Sequence, residues 1–503
     1  MSRINTNVNS LLAQRILGQQ NKSLNQSLER LSTGFRINRG ADDPAGLIAS
    51  ENLRSEKASI TAAIGNAERA DQVMNIAEGG LQEVNALLLE IQGLVGSSAS
   101  DAGLSKEEKE ANQLQVDSIL QTIDRIASAT SFQGTKLLNG TFDFTTSAQA
   151  TTIDDFQINA AKLETNEHRD VEVLVTNSAQ HGAIFLSTDG ALVLDDDVTS
   201  RLTLEIAGSL GSREFEFASG ATAANIVTAI NSFKSVTGVS AVTGGTGVQL
   251  TSVEFGSDEF VSVNVVTAPG LAGLTGAYFS SATDEGTVST VAANRTLFSA
   301  ANGPIRDAGQ DVGAVVNGIN AISDGKSLRV VSDFLDVSLD LTDTGATTIG
   351  SISALTITGG GAKFNLGPNV DIQNQVSIGI TNVAARNLGT LTNGYLDDLG
   401  SSKSANMVDG SIETAQKIVN DAITQISSMR GRIGAFQKNI VGATIRSLGV
   451  ALENTSAAES SIRDTDFATE TAQLTRSQIL VNAATNVLAI SNSQPQSVLS
   501  LLG

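Results

Sequence analysis

Cysteine and tryptophan are absent from this 503-residue chain, which has only five prolines, two histidines and 4% aromatic residues. Without cysteine there is no disulfide, no thiolate nucleophile and no sulfur ligand for a metal. His168 and His181 are too few for an ordinary histidine-based metal centre. They stand in strand-like sequence, without the helical His-Glu-x-x-His spacing of a zinc protease. The composition therefore argues against an enzyme set into the chain, and no cofactor or metal is expected. His181 reads as a hydrogen-bonded turn residue. Basic residues are also in short supply, with 32 Lys+Arg against 53 Asp+Glu and a formal charge of −21. Such a surface repels nucleic-acid phosphates and anionic membranes, so neither is an expected partner. It also makes self-packing dependent on screening by salt. No run approaches the roughly 18 apolar residues of a membrane-spanning helix. The opening Met1-Ser2-Arg3-Ile4-Asn5-Thr6-Asn7 lacks the apolar stretch of a secretory signal peptide.

What is present is periodicity. Leu53, Ile60, Ala67, Met74, Leu81, Leu88 and Val95 stand seven apart, and Ala63, Ala70, Ala77, Val84 and Ile91 interleave three residues later. Glu56 is the one interruption. Alternating steps of three and four place these side chains on one stripe of a helix roughly 60 Å long. The matching stripe lies more than three hundred residues away: Ile412, Val419, Ile426, Ile433 and Ile440, interleaved by Ala415, Ala422, Met429, Phe436 and Ala443. These two seams predict an antiparallel coiled coil between remote parts of the chain. Asp43-Pro44 is a start signal for the first seam helix, and Gly93 to Gly103 reads as its breaker. Ser105-Lys106-Glu107-Glu108 is a capping box opening a second helix with Val116, Ile119, Ile123 and Ile126 on one face.

The two ends carry further amphipathic helices. Ile4, Val8, Leu11, Leu12, Ile16, Leu17, Leu24, Leu28 and Leu31 recur at helical spacing over residues 3 to 32, closed by Gly34. Ser456-Ala457-Ala458-Glu459 reads as a capping box before a last helix with Leu474, Val481 and Leu488, running on to Leu501. The polar faces of these helices carry amides and serines rather than charges, a composition suited to contact with other protein. Apolar stripes that the rest of the chain cannot cover mark an association surface.

Between about 141 and 400 alternation replaces the helical period. Val171–Val175, Leu202–Ile206, Phe215–Phe217, Val261–Val265, Leu328–Val331 and Val337–Leu341 read as strands. Ala221–Phe233 reads as a helix capped by Ser219, and a second helix is expected from Asp311 to Ile322. Gly359-Gly360-Gly361 reads as a turn. The predicted fold class is α+β: a long antiparallel helical coiled coil formed by the N- and C-terminal segments, with inserted β-rich outer domains. The expected division is 1–43 with 459–503 as a terminal helical domain, 44–175 with 404–458 as a helical spine, and 176–403 as an outer insert. Two subdomains within that insert would divide near 270–300.

The sequence resembles the bacterial flagellins. The resemblance rests on Ser2 to Asn7, on Leu31-Ser32-Thr33-Gly34-Phe35-Arg36-Ile37-Asn38 with Ala41-Asp42-Asp43-Pro44-Ala45-Gly46-Leu47, and on Ser131-Phe132-Gln133-Gly134. Arg430-Gly431-Arg432-Ile433-Gly434-Ala435 and Ile462-Arg463-Asp464-Thr465-Asp466-Phe467-Ala468 extend it at the other end. Leu204 to Asn231 resembles a small strand-strand-helix module found in flagellins and hook-associated proteins.

The resemblance implies a subunit that self-assembles into the flagellar filament for swimming motility and is secreted through the type III export apparatus with an export chaperone. Hook-associated and cap proteins would be its other partners. A hook–filament junction protein is the alternative. Ile4, Val8, Leu11, Leu24, Leu28, Leu31, Leu474, Val481, Leu488 and Leu501 would mediate polymerisation. Leu53, Ile60, Met74, Leu81 and Leu88 would pack against Ile412, Val419, Ile426, Ile433, Phe436 and Ile440 within the subunit. The segment matching the contact site of the vertebrate flagellin-sensing Toll-like receptor contains Leu88, Glu90, Gln92 and Leu94. Glu90 stands where an arginine is central, which implies weak or absent receptor activation.

Overall fold

The computed structural model describes residues 6–100, 103–163, 167–188, 192, 194, 201–244, 247–268, 276–281, 284–288, 295–301 and 303–502. The fold is α+β, with long helices at both ends of the chain and a β-rich middle. The α-helices among the described residues are α1 (Val8–Thr33), α2 (Pro44–Ser98), α3 (Lys106–Ala129), α4 (Ala223–Asn231), α5 (Lys234–Thr237), α6 (Asp343–Thr347), α7 (Ile412–Ala435), α8 (Gly442–Arg463) and α9 (Phe467–Leu502).

Local chemistry explains where these helices begin and end. Asn7 caps α1 by accepting from Ser10 N at 3.1 Å, and Gly34 closes it with φ 75° while donating its N–H to Arg30 O. Asp43 accepts from Gly46 N at 2.9 Å as α2 opens on Pro44. The capping box of α3 is complete, Glu108 N donating to Ser105 Oγ at 3.3 Å and Ser105 N to Glu108 Oε2 at 2.8 Å. Two boundaries differ from expectation. α2 continues through Gly93 and Gly96 to Ser98, because burial of Ile91 and Val95 outweighs glycine's poor helix preference. Ser456-Glu459 lies inside α8, where Glu459 pairs with Lys57 at 3.2 Å. The cap of α9 is Asp466, which accepts from Ala468 N at 2.9 Å and Thr469 N at 3.4 Å.

The chain forms two compact units, residues 1–72, 364–375 and 434–503 in one, residues 73–363 and 376–433 in the other. In the first unit, α1 lies antiparallel to α9, and the early part of α2 is linked to α8. Arg463 meets Glu51 at 3.4 Å, Lys57 meets Glu459, and Gln437 donates to Asp71 Oδ1 at 3.2 Å, so rising numbers on one helix meet falling numbers on the other. Between α7 and α8 the helix does not break but widens to a π turn over Phe436–Val441. One extra residue per turn rotates the face that follows. Ile440, expected on the seam, is consequently 38% exposed, and Val441 takes the inner position at 1%.

In the second unit the spine stripe of α2 is fully inward. Met74, Ala77, Leu81, Val84, Leu88, Ile91 and Val95 are buried, as are Val419, Ile426, Met429 and Ile433 of α7. α3 folds back beside α2, with Val116, Ile119, Leu120 and Ile123 buried and Asn112 donating to Ser98 Oγ at 3.0 Å. Gly80 is needed here, since a Cβ would fall 2.7 Å from Leu138 and 2.9 Å from Thr130.

The β-rich part of this unit has two cores, and both are antiparallel sheet pairs. The first sheet runs Ile319–Asn320, Gly313–Val316, Arg169–Asn177, Gly350–Gly360, Phe144–Ser147 in spatial order. The second runs Ile322–Asp324, Ser327–Val331, Leu335–Leu341, Ile153–Ala161. Val171, Val173 and Val175 alternate inward against Val337, Leu339 and Leu341. The other core is built wholly from residues 183–308 and includes Ile184, Leu204, Phe215, Leu250 and Val263, with Ile226 and Ile230 of α4.

The second core is thus nested inside the first, and the expected division near 270–300 is overturned: strands Phe260–Thr267, Gly276–Ser281 and Ile305–Ala308 share one core. The passage between cores is at Gln180 and Gln310, which exchange backbone hydrogen bonds of 2.8 and 2.9 Å. The helix expected at Asp311–Ile322 is instead a hairpin. Asn317 and Gly318 take φ 48° and 82°, the turn that Asn-Gly between β-branched residues favours. The α4 cap is Thr222, not Ser219; the Ser219 hydroxyl accepts from Leu194 N. His181 is hydrogen-bonded as expected but lies in no turn: it stands in irregular chain between Gln180 and the strand Ala183–Ser187, its Nδ1 3.0 Å from Glu254 O and its ring 3.7 Å from that of Phe255.

Candidate assembly surface

The two terminal helices define the site, and, Glu470 apart, the described residues they bury are small. On α1 the buried side chains are Ser10, Ala13 and Ser27; on α9 they are Glu470, Ser477, Ala484 and Ser491, strictly seven apart. A seam of this size lets helix backbones approach closely and leaves the larger apolar side chains elsewhere. Val8, Leu11, Leu12, Ile16 and Leu28 on α1 are exposed, as are Ile479, Leu480, Val487 and Ile490 on α9. Val8 at 61%, Ile479 at 63% and Ile490 at 67% are far more open than isolated surface apolar residues require, and they recur along both helices.

The ten residues expected to mediate polymerisation divide accordingly. Val8, Leu11 and Leu28 are on the open surface. Leu24, Leu31, Leu474, Val481 and Leu488 are half-buried, flanking the small-residue seam. Ile4 lies outside the described residues, and of Leu501 only its place in α9 is described. The sequence places Ile479, Leu480 and Val487 beside the stripe of Leu474, Val481 and Leu488 but, because the apolar heptad was followed, not among the polymerisation contacts, and Ile490 was not singled out. The signal that separates the two faces is the repeat of small residues at 477, 484 and 491.

A joint links this helix pair to the rest of its unit. Phe35 and Asp464 form a β-bridge, with Arg36 N donating to Arg463 O at 2.7 Å and Thr465 N to Gly34 O at 2.9 Å. The Arg36 guanidinium donates to Ile462 O through Nε and Nη2, and Arg463 stacks 4.7 Å from the Phe35 ring centre. Asp42 folds the loop by accepting from the N–H groups of Asn38 and Arg39, 3.1 and 2.9 Å away; the bond from Arg39 above all holds its pKa below the ordinary carboxylate value. Asp466 is held down in the same sense, first by the Thr469 hydroxyl and then by the N–H groups of Thr469 and Ala468.

Of the intra-subunit seam, Ile60, Met74, Leu81, Leu88, Val419, Ile426, Ile433 and Phe436 are buried, while Leu53 and Ile412 are half-buried. A polar row accompanies it. Gln92 donates to Asn420 at 2.9 Å and Arg430 to Glu78 at 2.8 Å, with Asn85 between them. The expected receptor-facing residues are also separated. Leu88 is fully buried in the spine and cannot meet a receptor; its neighbour Leu89 is 51% exposed beside exposed Glu90. Gln92 is turned toward Asn420, and Leu94 is half-buried.

A helix pair that buries serine and alanine while exposing leucine, isoleucine and valine is the terminal module of a self-associating subunit. A model of the bacterial flagellin N-terminal helical region matches residues 4–143, one of the C-terminal helical region matches 416–502, and a flagellin hook IN motif matches 202–253. Flagellin B of Vibrio cholerae is 27% identical over 503 residues, covering 99% of each chain. The flagellin of Salmonella typhimurium is 28% identical over 521 residues, again covering 99% of each. The chain belongs to the bacterial flagellin family.

Proposed function

We infer that the protein is the structural subunit of a bacterial flagellar filament, polymerising for swimming motility through the apolar surface of α1 and α9. The observation that carries the mechanism is the inversion of the terminal seam: small side chains inside, Val8, Leu11, Ile479 and Ile490 outside. Burial of each exposed branched side chain between subunits is worth about 1.5–3 kcal/mol, and many are repeated per subunit. Full-length correspondence with flagellins favours this over a hook–filament junction protein.

The working environment follows from this reading. The subunit is secreted, reaching the outside through the type III export apparatus with an export chaperone, and it meets hook-associated and cap proteins at the filament ends. No helix among the described residues is long and apolar enough to cross a membrane. Its role is mechanical rather than enzymatic, in keeping with a chain of two histidines and no cysteine. Activation of the flagellin-sensing Toll-like receptor is weak or absent, because exposed Glu90 presents an acid where a guanidinium is central to the contact. Reporter-cell potency equal to that of an arginine-bearing flagellin would refute that part.

The experiment for assembly is sedimentation of purified variants. Ile479→Asp and Val487→Asp are expected to abolish pelleting while leaving monomer unfolding unchanged. Normal polymer from both variants would remove the exposed face from the mechanism.

A further inference from the structure

We propose that the Arg30–Glu470 ion pair is the register lock of the terminal helices, the positioning contact that fixes which turn of α9 lies against which turn of α1. The proposal deepens the filament reading and rests on it.

The need for such a lock comes from the repetitiveness of the seam. On α9, Ser477, Ala484 and Ser491 are buried at one position of the heptad, and Leu474, Val481 and Leu488 are half-buried at the other. On α1, Leu17, Leu24 and Leu31 are half-buried in the same rhythm, alongside buried Ala13 and Ser27. Sliding one helix by a heptad, roughly 10 Å, presents largely the same classes of side chain again, half-buried Gln20 and buried Ser10 of α1 being the exceptions. Packing therefore discriminates poorly between registers. The links across this helix pair and the adjoining joint include backbone bonds at Gly34–Thr465 and Arg36–Arg463, and Asn7 Nδ2 donates to the carbonyl of Ser491. Contacts to backbone atoms do not identify a particular residue, and the side-chain bond from Ser10 Oγ to exposed Asn492 Oδ1 joins two neutral groups that water can satisfy when it is broken.

Glu470 does. It is the one charged side chain among the described buried residues of α1 and α9, exposed by only 8%. Its Oε2 lies 3.6 Å from Arg30 Nη1, while Oε1 and Arg30 Nε are buried without hydrogen-bond partners. A heptad slip in one direction brings Arg30 level with Ser477, and in the other with Arg463. Either leaves the Glu470 carboxylate buried and unpaired, which strongly disfavours both. A single polar pair that sets register at the expense of stability is a known use of buried charge in helical seams.

The cysteine-free chain makes the test direct. Ser10 Oγ donates to Asn492 Oδ1 at 2.6 Å, so Ser10→Cys with Asn492→Cys reports the native register; Ser10→Cys with Thr485→Cys reports a slip of one heptad. With Arg30 and Glu470 intact, the first pair should cross-link at least about tenfold more than the second in polymer. Adding Arg30→Gln should bring the ratio near one and slow polymerisation about tenfold. Exchanging the charges, Arg30→Glu with Glu470→Arg, should restore both to within about threefold. A ratio still near tenfold after Arg30→Gln would overturn the proposal, and so would failure of the exchange to restore it. If the cysteine chain with native Arg30 and Glu470 forms no polymer, the filament reading fails instead. The cross-link ratio measured on the soluble protein then still decides the lock.

Discussion

Val441 occupies the inner position that helical spacing assigns to its neighbour Ile440; the first is 1% exposed and the second 38%. The π turn at Phe436–Val441 makes the exchange. Val441→Asp is therefore expected to cost more than about 3 kcal/mol in denaturant unfolding, and Ile440→Asp about 1 kcal/mol or less. Deleting Asn439 should be tolerated within about 1 kcal/mol, because it places Val441 four residues after Phe436, the ordinary seam spacing. A severe loss from that deletion would mean the extra residue has a structural role beyond its geometry.

The polar row beside the spine supplies a second test. Asn85 Oδ1 and Glu78 Oε2 are buried without hydrogen-bond partners. Replacing Asn85 by Leu removes an unsatisfied acceptor at a half-buried position and should stabilise the monomer by about 1 kcal/mol. Arg430→Ala should destabilise by about 1–2 kcal/mol, less at high salt, since both partners of the Glu78 pair are close to a third exposed. Thermal unfolding at two salt concentrations separates the two effects.

Acid should act in opposite directions on two groups of carboxylates. Withdrawal from water in a cleft of about 610 Å³ raises the Asp155 pKa, against the bond from Phe156 N, with Asp340 directly across the strand pair and Asp154 adding to the rise. A raised carboxylate opposes folding once the unfolded chain ionises above the ordinary 3.8, so Asp155→Asn should stabilise at neutral pH. That gain should fade as pH falls from the raised folded value toward 3.8 and be absent below it. Asp42 has a lowered pKa, so its contribution to the joint is present above 3.8 and is lost as pH falls through its lower folded value. Asp42→Asn should therefore destabilise at neutral pH and converge with the wild type in acid. pH-dependent unfolding of the two variants checks both signs.

With a formal charge of −21 per subunit, polymerisation should accelerate with salt between about 0.05 and 0.5 M as repulsion is screened. Light-scattering rates that fall or stay flat would count against the electrostatic argument.

The spine was legible because its signal is local and strong: Ile60 to Val95 and Ile412 to Ile433 obey one period, and the core uses them as written. Residues whose role depends on distant partners were harder to read. The heptad at Ile440 gives no sign of the π turn, since an inserted residue leaves both flanking patterns intact. Six strands between 171 and 341 were visible as alternation, while those at Phe144–Ser147, Ile153–Ala161 and Gly350–Gly360 were not, and the nesting of one core in another depends on pairing across more than a hundred residues. Asn317-Gly318 was a readable hairpin signal, hidden by a helical spacing of apolar neighbours. At the termini, the search for leucines found Leu474, Val481 and Leu488, which flank the seam. The serines and alanine that line it carry no hydropathic signal, so the open face at Ile479 and Ile490 went unassigned.

Electron microscopy of the purified, salt-treated protein tests the central claim most directly. The account expects long helical tubes whose reconstruction places Val8, Leu11, Ile479 and Ile490 at contacts between subunits. Monomers or short closed rings at every salt and protein concentration, or tubes with those four side chains facing solvent, would contradict it.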